Sequence, residues 1–144
     1  YNLISPEVYN YVITNHGLAM IFFFLMPVLI GGFGNYLLPL LLGLGDLNLP
    51  RLNALSAWLM LPSAVCLGVS MLNGAGVGWT FYPPLSSAGY TGLGADFLMF
   101  SLHLAGVSSI LGSLNFICTI YSCMENLIIL RLSIIIWAYL FTSI

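Results

Sequence analysis

The chain alternates long apolar stretches with short polar turns. From Val8 to Gly45 the run VYNYVITNHGLAMIFFFLMPVLIGGFGNYLLPLLLGLG contains no Asp, Glu, Lys or Arg. About 20 apolar residues carry a helix across a bilayer core. This run therefore predicts a membrane segment over residues 9–41, long enough to be tilted or to extend past the bilayer. Pro27 and then Gly31, Gly32 and Gly34 interrupt it. Such residues are tolerated in lipid where neighbouring groups satisfy the freed backbone, and small residues let helices approach closely. GLGDLNLPR (43–51) is a polar turn carrying Asp46 and Arg51, and a second segment follows over residues 52–72. The stretch 73–94, NGAGVGWTFYPPLSSAGYTGLG, has no span of its own; its Trp79, Tyr82 and Tyr90 suit an interfacial aromatic belt. A third segment covers 96–121. The turn YSCMEN leads to a fourth, 127–144, which reaches the end of the chain without a polar flank. The pattern predicts an all-α, polytopic transmembrane helix bundle with four membrane segments. The turns at 43–51 and 121–126 then share one membrane face and the Gly/Trp/Pro loop takes the other. The bare end of the fourth segment suggests a piece of a longer or split protein.

Composition sharpens this picture. The chain is 60% hydrophobic and 4% charged, with two basic and four acidic side chains; its mean hydropathy is +1.06. A soluble domain is about 25% charged, so six charges could not make this surface compatible with water, whereas membrane lipid suits it. A net charge of −2 gives no reason to expect nucleic acid. Cys66, Cys118 and Cys123 form no CxxC pair, and their odd number argues for buried free thiols over a closed disulfide framework. The opening YNLISPEVYN carries no basic leader or small-residue cleavage site, so insertion is expected to use the membrane segments themselves.

Few residues can carry chemistry. His16 is the one strongly ionisable group of the first run. An imidazole is expensive at membrane depth without a partner and marks a functional candidate. It can bind a metal through one nitrogen while the other is held by an acceptor. Met20, Phe23, Phe24 and Pro27 lie on or near its face, which suits a flat apolar macrocycle. The alternative is a histidine hydrogen-bonded to a neighbouring helix. A second, polar set comprises Asn35, Asp46 and Asn53 around the first turn and Ser101, Ser108, Ser109 and Asn115 along the third segment. Offsets of 7, 8 and 14 from Ser101 draw most of the latter into one helical stripe. Such a stripe can hold a chain of waters, with Asp46 collecting protons at the membrane surface. Serine and asparagine equally serve as hydrogen bonds between membrane helices, and aspartate caps helices. His103 reads as a satisfied interhelical histidine, and Arg131 as a snorkelling or paired side chain. The glycine spacings are not nucleotide sites, because no βαβ pattern surrounds them.

Four strings together, TNHGLAMIFFFLMPVLIGGFGNYLLPLLLG, LNLPRLNALSAWL, GAGVGWTFYPPLSS and FSLHLAGVSSILGSLNFICTI, resemble subunit I of the cytochrome c oxidases, the core of the haem–copper oxidase family. The resemblance covers nearly the whole chain in order. It implies helices II, III, IV and the beginning of V of a twelve-helix subunit. By it, His16 matches an axial ligand of low-spin haem a and Trp79 a tryptophan near the haem propionates. Asp46 matches the mouth of the D-type proton pathway; Asn35, Asn53 and Asn115 match its asparagines, and Ser101, Ser108 and Ser109 hydroxyl positions further along. Arg51 matches the arginine of a PR motif. Asp46 and Arg51 are then expected on the matrix side of the mitochondrial inner membrane, or the cytoplasmic side of a bacterial plasma membrane.

The resemblance also marks what this chain lacks. Leu98 replaces a threonine common in the polar stripe, and YSCMENLIILR is unusually apolar for its loop. Helix I, the second haem a ligand, the haem a3 ligand, the three copper-binding histidines, the redox-active tyrosine and the glutamate ending the proton pathway have no match; His103 occupies none of these positions. Haem a3 and copper are thus expected from the remaining part of subunit I, in the same or a separate chain. A copper-bearing subunit II, subunit III and cytochrome c as electron donor are the implied partners, and electron transfer to oxygen coupled to proton translocation the implied activity. The isolated fragment is not expected to be catalytic. A haem-free membrane transporter and a structural membrane subunit are the competing readings.

Overall fold

A computed structural model describes residues 3–87, 90–124 and 131–144. Among these residues the chain is all helical. α1 (Pro6–Leu18) runs into two π-helical stretches, Ala19–Leu25 and Pro27–Gly34, and then α2 (Asn35–Leu42); α3 (Pro50–Asn73), α4 (Leu93–Met124) and α5 (Ile134–Ser143) follow. Three continuous helical segments, Pro6–Leu42, Pro50–Asn73 and Leu93–Met124, are long and apolar enough to cross a membrane. Of the fourth expected segment, residues 127–130 lie outside the described residues, as do 125 and 126 of the turn before it. Within the remainder, Ile134–Ser143 form α5, a helix of 10 residues.

Local signals explain the first helix. Ser5 caps α1, its Oγ accepting the Val8 N–H at 3.4 Å, with Pro6 in the first turn and Glu7 behind it. Pro27 brings no N–H and its ring crowds the preceding turn. The widened π turns on either side are the adjustment by which a membrane helix passes a proline without breaking. α2 ends in a Schellman motif: Gly43 takes φ 71°, Leu44 N–H donates to Pro39 O at 2.8 Å and Gly43 N–H to Leu40 O at 3.3 Å.

The chain divides into two compact units. The first comprises Tyr1–Leu25 and Met60–Ala105. Its core is Leu18, Ala75, Val77 and Leu98, with Phe81 packed against them. Phe81, half-buried against this cluster, holds a left-handed backbone (φ 53°). Leu98, the departure from a threonine noted above, is fully buried here, so its position is filled by apolar packing. The loop after α3 lies on α1. A Cβ on Gly76 would come within 2.9 Å of the Tyr11 ring and 3.0 Å of Asn10 Cβ, so the loop backbone needs glycine to lie this close.

The second unit comprises Met26–Leu59 and Gly106–Ile144. Its core gathers Leu38, Leu42, Leu47, Phe116, Ile120 and Ile136. Phe116 meets Tyr139 edge to face, with centroids 5.9 Å apart, and the Tyr139 hydroxyl donates to Leu29 O at 3.4 Å. Most other large apolar side chains of both units face outward, including Trp58, Phe100 and Ile110, as expected of helices whose surroundings are lipid or further helices.

Gly34 provides a test of the second core. A Cβ there would stand 2.8 Å from Phe116 Cε2 and Cζ, whereas one on Gly31 would meet nothing within 4 Å. Gly34→Ala is expected to destabilise the detergent-solubilised protein by about 1–3 kcal/mol, the range for overpacking. Gly31→Ala, inside the same helical stretch and with room for its Cβ, should not lower the thermal midpoint and is expected to raise it slightly.

Candidate functional site

In the first unit, the site grows from the turn of α1 that carries His16. Thr14 and Asn15 are buried on the inner side of this helix, and His16 is exposed beside them. Its imidazole makes no hydrogen bond among the described residues, and its exposed neighbours one turn away are apolar: Val12 and Ile13 on α1 and Met20 in the π-helical stretch that follows. The glycine-rich loop meets the same turn. Gly78 N–H donates to Thr14 Oγ1 at 3.0 Å, and a Cβ on Gly17 would stand 4.0 Å from Trp79 Cβ. The exposed Trp79 therefore starts from backbone adjacent to the residue after His16. A nitrogen donor without a partner among the described residues, on an apolar face with an indole rooted nearby, fits a group that would ligate the metal of a large apolar macrocycle. For a metal held by several side chains, by contrast, no group of three His, Cys, Asp or Glu residues comes together among the described residues.

The same unit holds a serine clasp. Ser63 Oγ donates to Ser101 O at 2.6 Å and Ser101 Oγ to Ser63 O at 2.8 Å, both residues fully buried. His103 is satisfied within its own helix, Nδ1 lying 2.8 Å from Met99 O.

The second unit holds the polar turn and the end of α4. Asp46 is exposed; its Oδ1 accepts the Leu47 N–H at 2.7 Å. The turn is stitched to α4 by Asn48 N–H donating to Thr119 Oγ1 at 3.1 Å and Leu49 N–H donating to Asn115 Oδ1 at 3.1 Å. Asn53 joins through its backbone, its N–H donating to Leu49 O at 3.1 Å. Asn35 Nδ2 donates to Gly31 O at 2.6 Å. Two buried polar atoms have no partner among the described residues: the acceptor Asn35 Oδ1 and the donor Asn115 Nδ2. A second clasp pairs Ser56 Oγ with Ser108 O at 2.9 Å and Ser108 Oγ with Ser56 O at 2.7 Å. Ser109, one residue round the helix, is exposed.

The residues singled out from sequence therefore fall into separate arrangements. Asp46, Asn53 and Asn115 gather around the backbone of residues 47–49; Ser101 and Ser108 each use their proton on an opposite carbonyl; Ser109 stands apart. Reading the sequence alone missed Thr14, Asn48, Ser56, Ser63 and Thr119. The serines left a signal, since the spacing of 56 and 63 repeats that of 101 and 108. Nothing distinguishes Thr14, Asn48 and Thr119 by pattern. The cysteines are free, but Cys118 is exposed and Cys66 half-buried, so only Cys123 is a buried thiol: in a membrane helix an apolar position can face outward as readily as inward.

The family described as Cytochrome C and Quinol oxidase polypeptide I matches residues 1–144. The chain belongs to this family. Among its relatives, the protein of Candida albicans named cytochrome c oxidase subunit 1 is 44% identical over 97% of this chain. Those of Eremothecium gossypii and Yarrowia lipolytica, with the same name, are 43% and 46% identical over 96% and 97% of it. The chain spans about a quarter of the length of these curated relatives, 26–27%. Membership and its three apolar spans make this polypeptide-I segment part of a multi-pass membrane protein.

The Ser63–Ser101 clasp gives a measurable energy. A double-mutant cycle with Ser63→Ala and Ser101→Ala should return a coupling of about 0.6 kcal/mol and at most about 1.7 kcal/mol, the range for hydrogen bonds between membrane helices. Equilibrium unfolding in mixed detergent would measure it.

Proposed function

We propose that this chain is part of the catalytic subunit of a terminal respiratory oxidase in the mitochondrial inner membrane, where it holds one side of haem a and the lower part of a D-type proton pathway. The observation that carries the reading is His16, an imidazole exposed on a membrane-spanning helix with no hydrogen-bond partner among the described residues, next to the loop that bears Trp79. An unpaired polar group at that depth calls for an occupant, and family membership supports haem.

In this reading His16 would hold the haem a iron through its imidazole, and Trp79 would lie beside the same group. Haem a, when bound, supplies one-electron transfer; electrons arrive from cytochrome c by way of a copper-bearing subunit II. Haem a3 and copper, held by the remaining part of subunit I, would supply the reduction of oxygen to water, with subunit III in the same complex. Asp46 serves as the proton collector on the matrix side. The Leu47 N–H holds Oδ1, leaving Oδ2 to exchange protons with water. Asn35 Oδ1 and Asn115 Nδ2, one acceptor and one donor, would each hold a water, since buried polar groups of this kind are ordinarily satisfied by ordered solvent. Asn53, Ser101, Ser108 and Ser109 would continue the polar pathway; Ser101 and Ser108, whose protons hold the helices together, would take part in it only as acceptors.

Two substitutions in the assembled complex test this. His16→Ala is expected to abolish the haem a band of the reduced-minus-oxidised visible spectrum; a retained band would remove His16 from the iron. Asp46→Asn should leave that spectrum unchanged and slow proton uptake by roughly 10²-fold, the scale of losing a positioned proton-transfer group. Stopped-flow measurement with a pH indicator reads the rate, and normal uptake would exclude Asp46.

A further inference from the structure

α1 faces a problem of orientation: its polar and apolar residues are spread round the helix, with Glu7, Asn10 and His16 exposed and Thr14 and Asn15 buried, so hydrophobic contrast scarcely fixes its rotation. Successive residues turn by about 100°, and a modest rotation would re-aim the imidazole of His16. The two residues before it are polar and almost fully buried, Thr14 at 3% and Asn15 at 4% exposure. Each ties α1 to a different neighbour. Thr14 Oγ1 donates to Asn10 O at 2.8 Å and accepts Gly78 N–H at 3.0 Å from the glycine loop. Asn15 Nδ2 donates to Tyr11 O at 2.9 Å, and its Oδ1 lies 3.4 Å from the Ser70 hydroxyl on α3, which also lies 2.7 Å from Leu67 O.

We propose that Thr14, seconded by Asn15, is a positioning residue that sets the rotation of α1 and thereby aims His16, and that the same Gly78 N–H bond fixes the start of Trp79 against Gly17. The proposal rests on the reading of His16 as a haem ligand. One hydroxyl then serves both groups that border the haem: it holds the helix carrying the imidazole and the loop carrying the indole. Turning α1 would strand the Gly78 N–H and bring buried polar side chains to apolar surroundings, which opposes rotation in a way that exchanging one apolar face for another does not. Leu18, buried in the same unit, is the competing anchor. If its packing alone set the rotation, removing the Thr14 hydroxyl would change nothing.

The test uses the complete oxidase complex and two readouts. The first is free of haem. A Cβ on Gly17 would stand 4.0 Å from Trp79 Cβ, inside the roughly 3.5–4.5 Å that a disulfide needs. A Gly17→Cys, Trp79→Cys pair should therefore cross-link on mild oxidation. The cross-link yield is expected to fall severalfold when the nearly isosteric Thr14→Val is added, and to recover with Thr14→Ser. The second readout, with Gly17 and Trp79 intact, is the position of the haem a band and its midpoint potential. Thr14→Val and Asn15→Leu, made singly so that one anchor remains, are expected to shift both, and Thr14→Ser to restore them. Unchanged cross-linking and an unchanged potential in Thr14→Val would overturn the proposal, as would lost cross-linking with an unshifted haem. Should His16→Ala retain its haem band, the ligand reading fails, and the cross-link still decides separately whether Thr14 sets the geometry.

Discussion

Hydrogen bonds between buried polar groups are the constraint on which this chain depends. In water an amphipathic helix is oriented by the contrast between its faces; here most faces are equally apolar, and the exposed Trp58, Phe100 and Ile110 cost nothing against lipid or further helices. Orientation must come from the few groups that cannot be left unpaired. Each unit shows this in its own way. In the first, Thr14 meets Gly78 and Ser63 meets Ser101; in the second, Asn48 and Leu49 meet Thr119 and Asn115, and Ser56 meets Ser108. The apolar clusters fill space around these contacts, and small residues such as Gly34 permit the close approach they require.

This division of labour separates two kinds of polar residue. The clasp serines spend their protons on opposite backbone, which suits holding helices together. Asn35 and Asn115 each leave one buried atom without a partner among the described residues. A membrane protein tolerates that expense chiefly where something else is to be bound, and water is the smallest group able to satisfy both a lone donor and a lone acceptor. Both asparagines belong to the unit that presents Asp46.

The helical, membrane-spanning character could be read from sequence because the signal is large: a run free of Asp, Glu, Lys and Arg over 8–45 has few soluble interpretations. The same uniformity hid finer structure. Pro27 announced a disturbance, but that the backbone answers with π turns on both sides depends on where freed carbonyls find partners, which composition does not encode. His16 stood out because it is chemically unlike its surroundings, whereas Thr14, two residues away, is a common membrane-helix residue whose importance lies in what crosses over it. Ser101, Ser108 and Ser109 looked alike in the stripe; Ser109 differs only because an adjacent residue on a helix points about 100° away. Asn48 and Thr119, 71 positions apart, meet through tertiary folding alone.

The glycine loop on α1 has a consequence for how this protein can change over generations. Gly76 is boxed in by the ring of Tyr11 and by Asn10 Cβ, so the loop and the helix share one volume. A larger residue at position 76 is affordable only if position 11 has already shrunk, and a smaller residue at 11 leaves a void until 76 has grown. The two sites therefore cannot drift independently. Their histories should be linked, with compensating pairs tolerated and the intermediate single changes selected against.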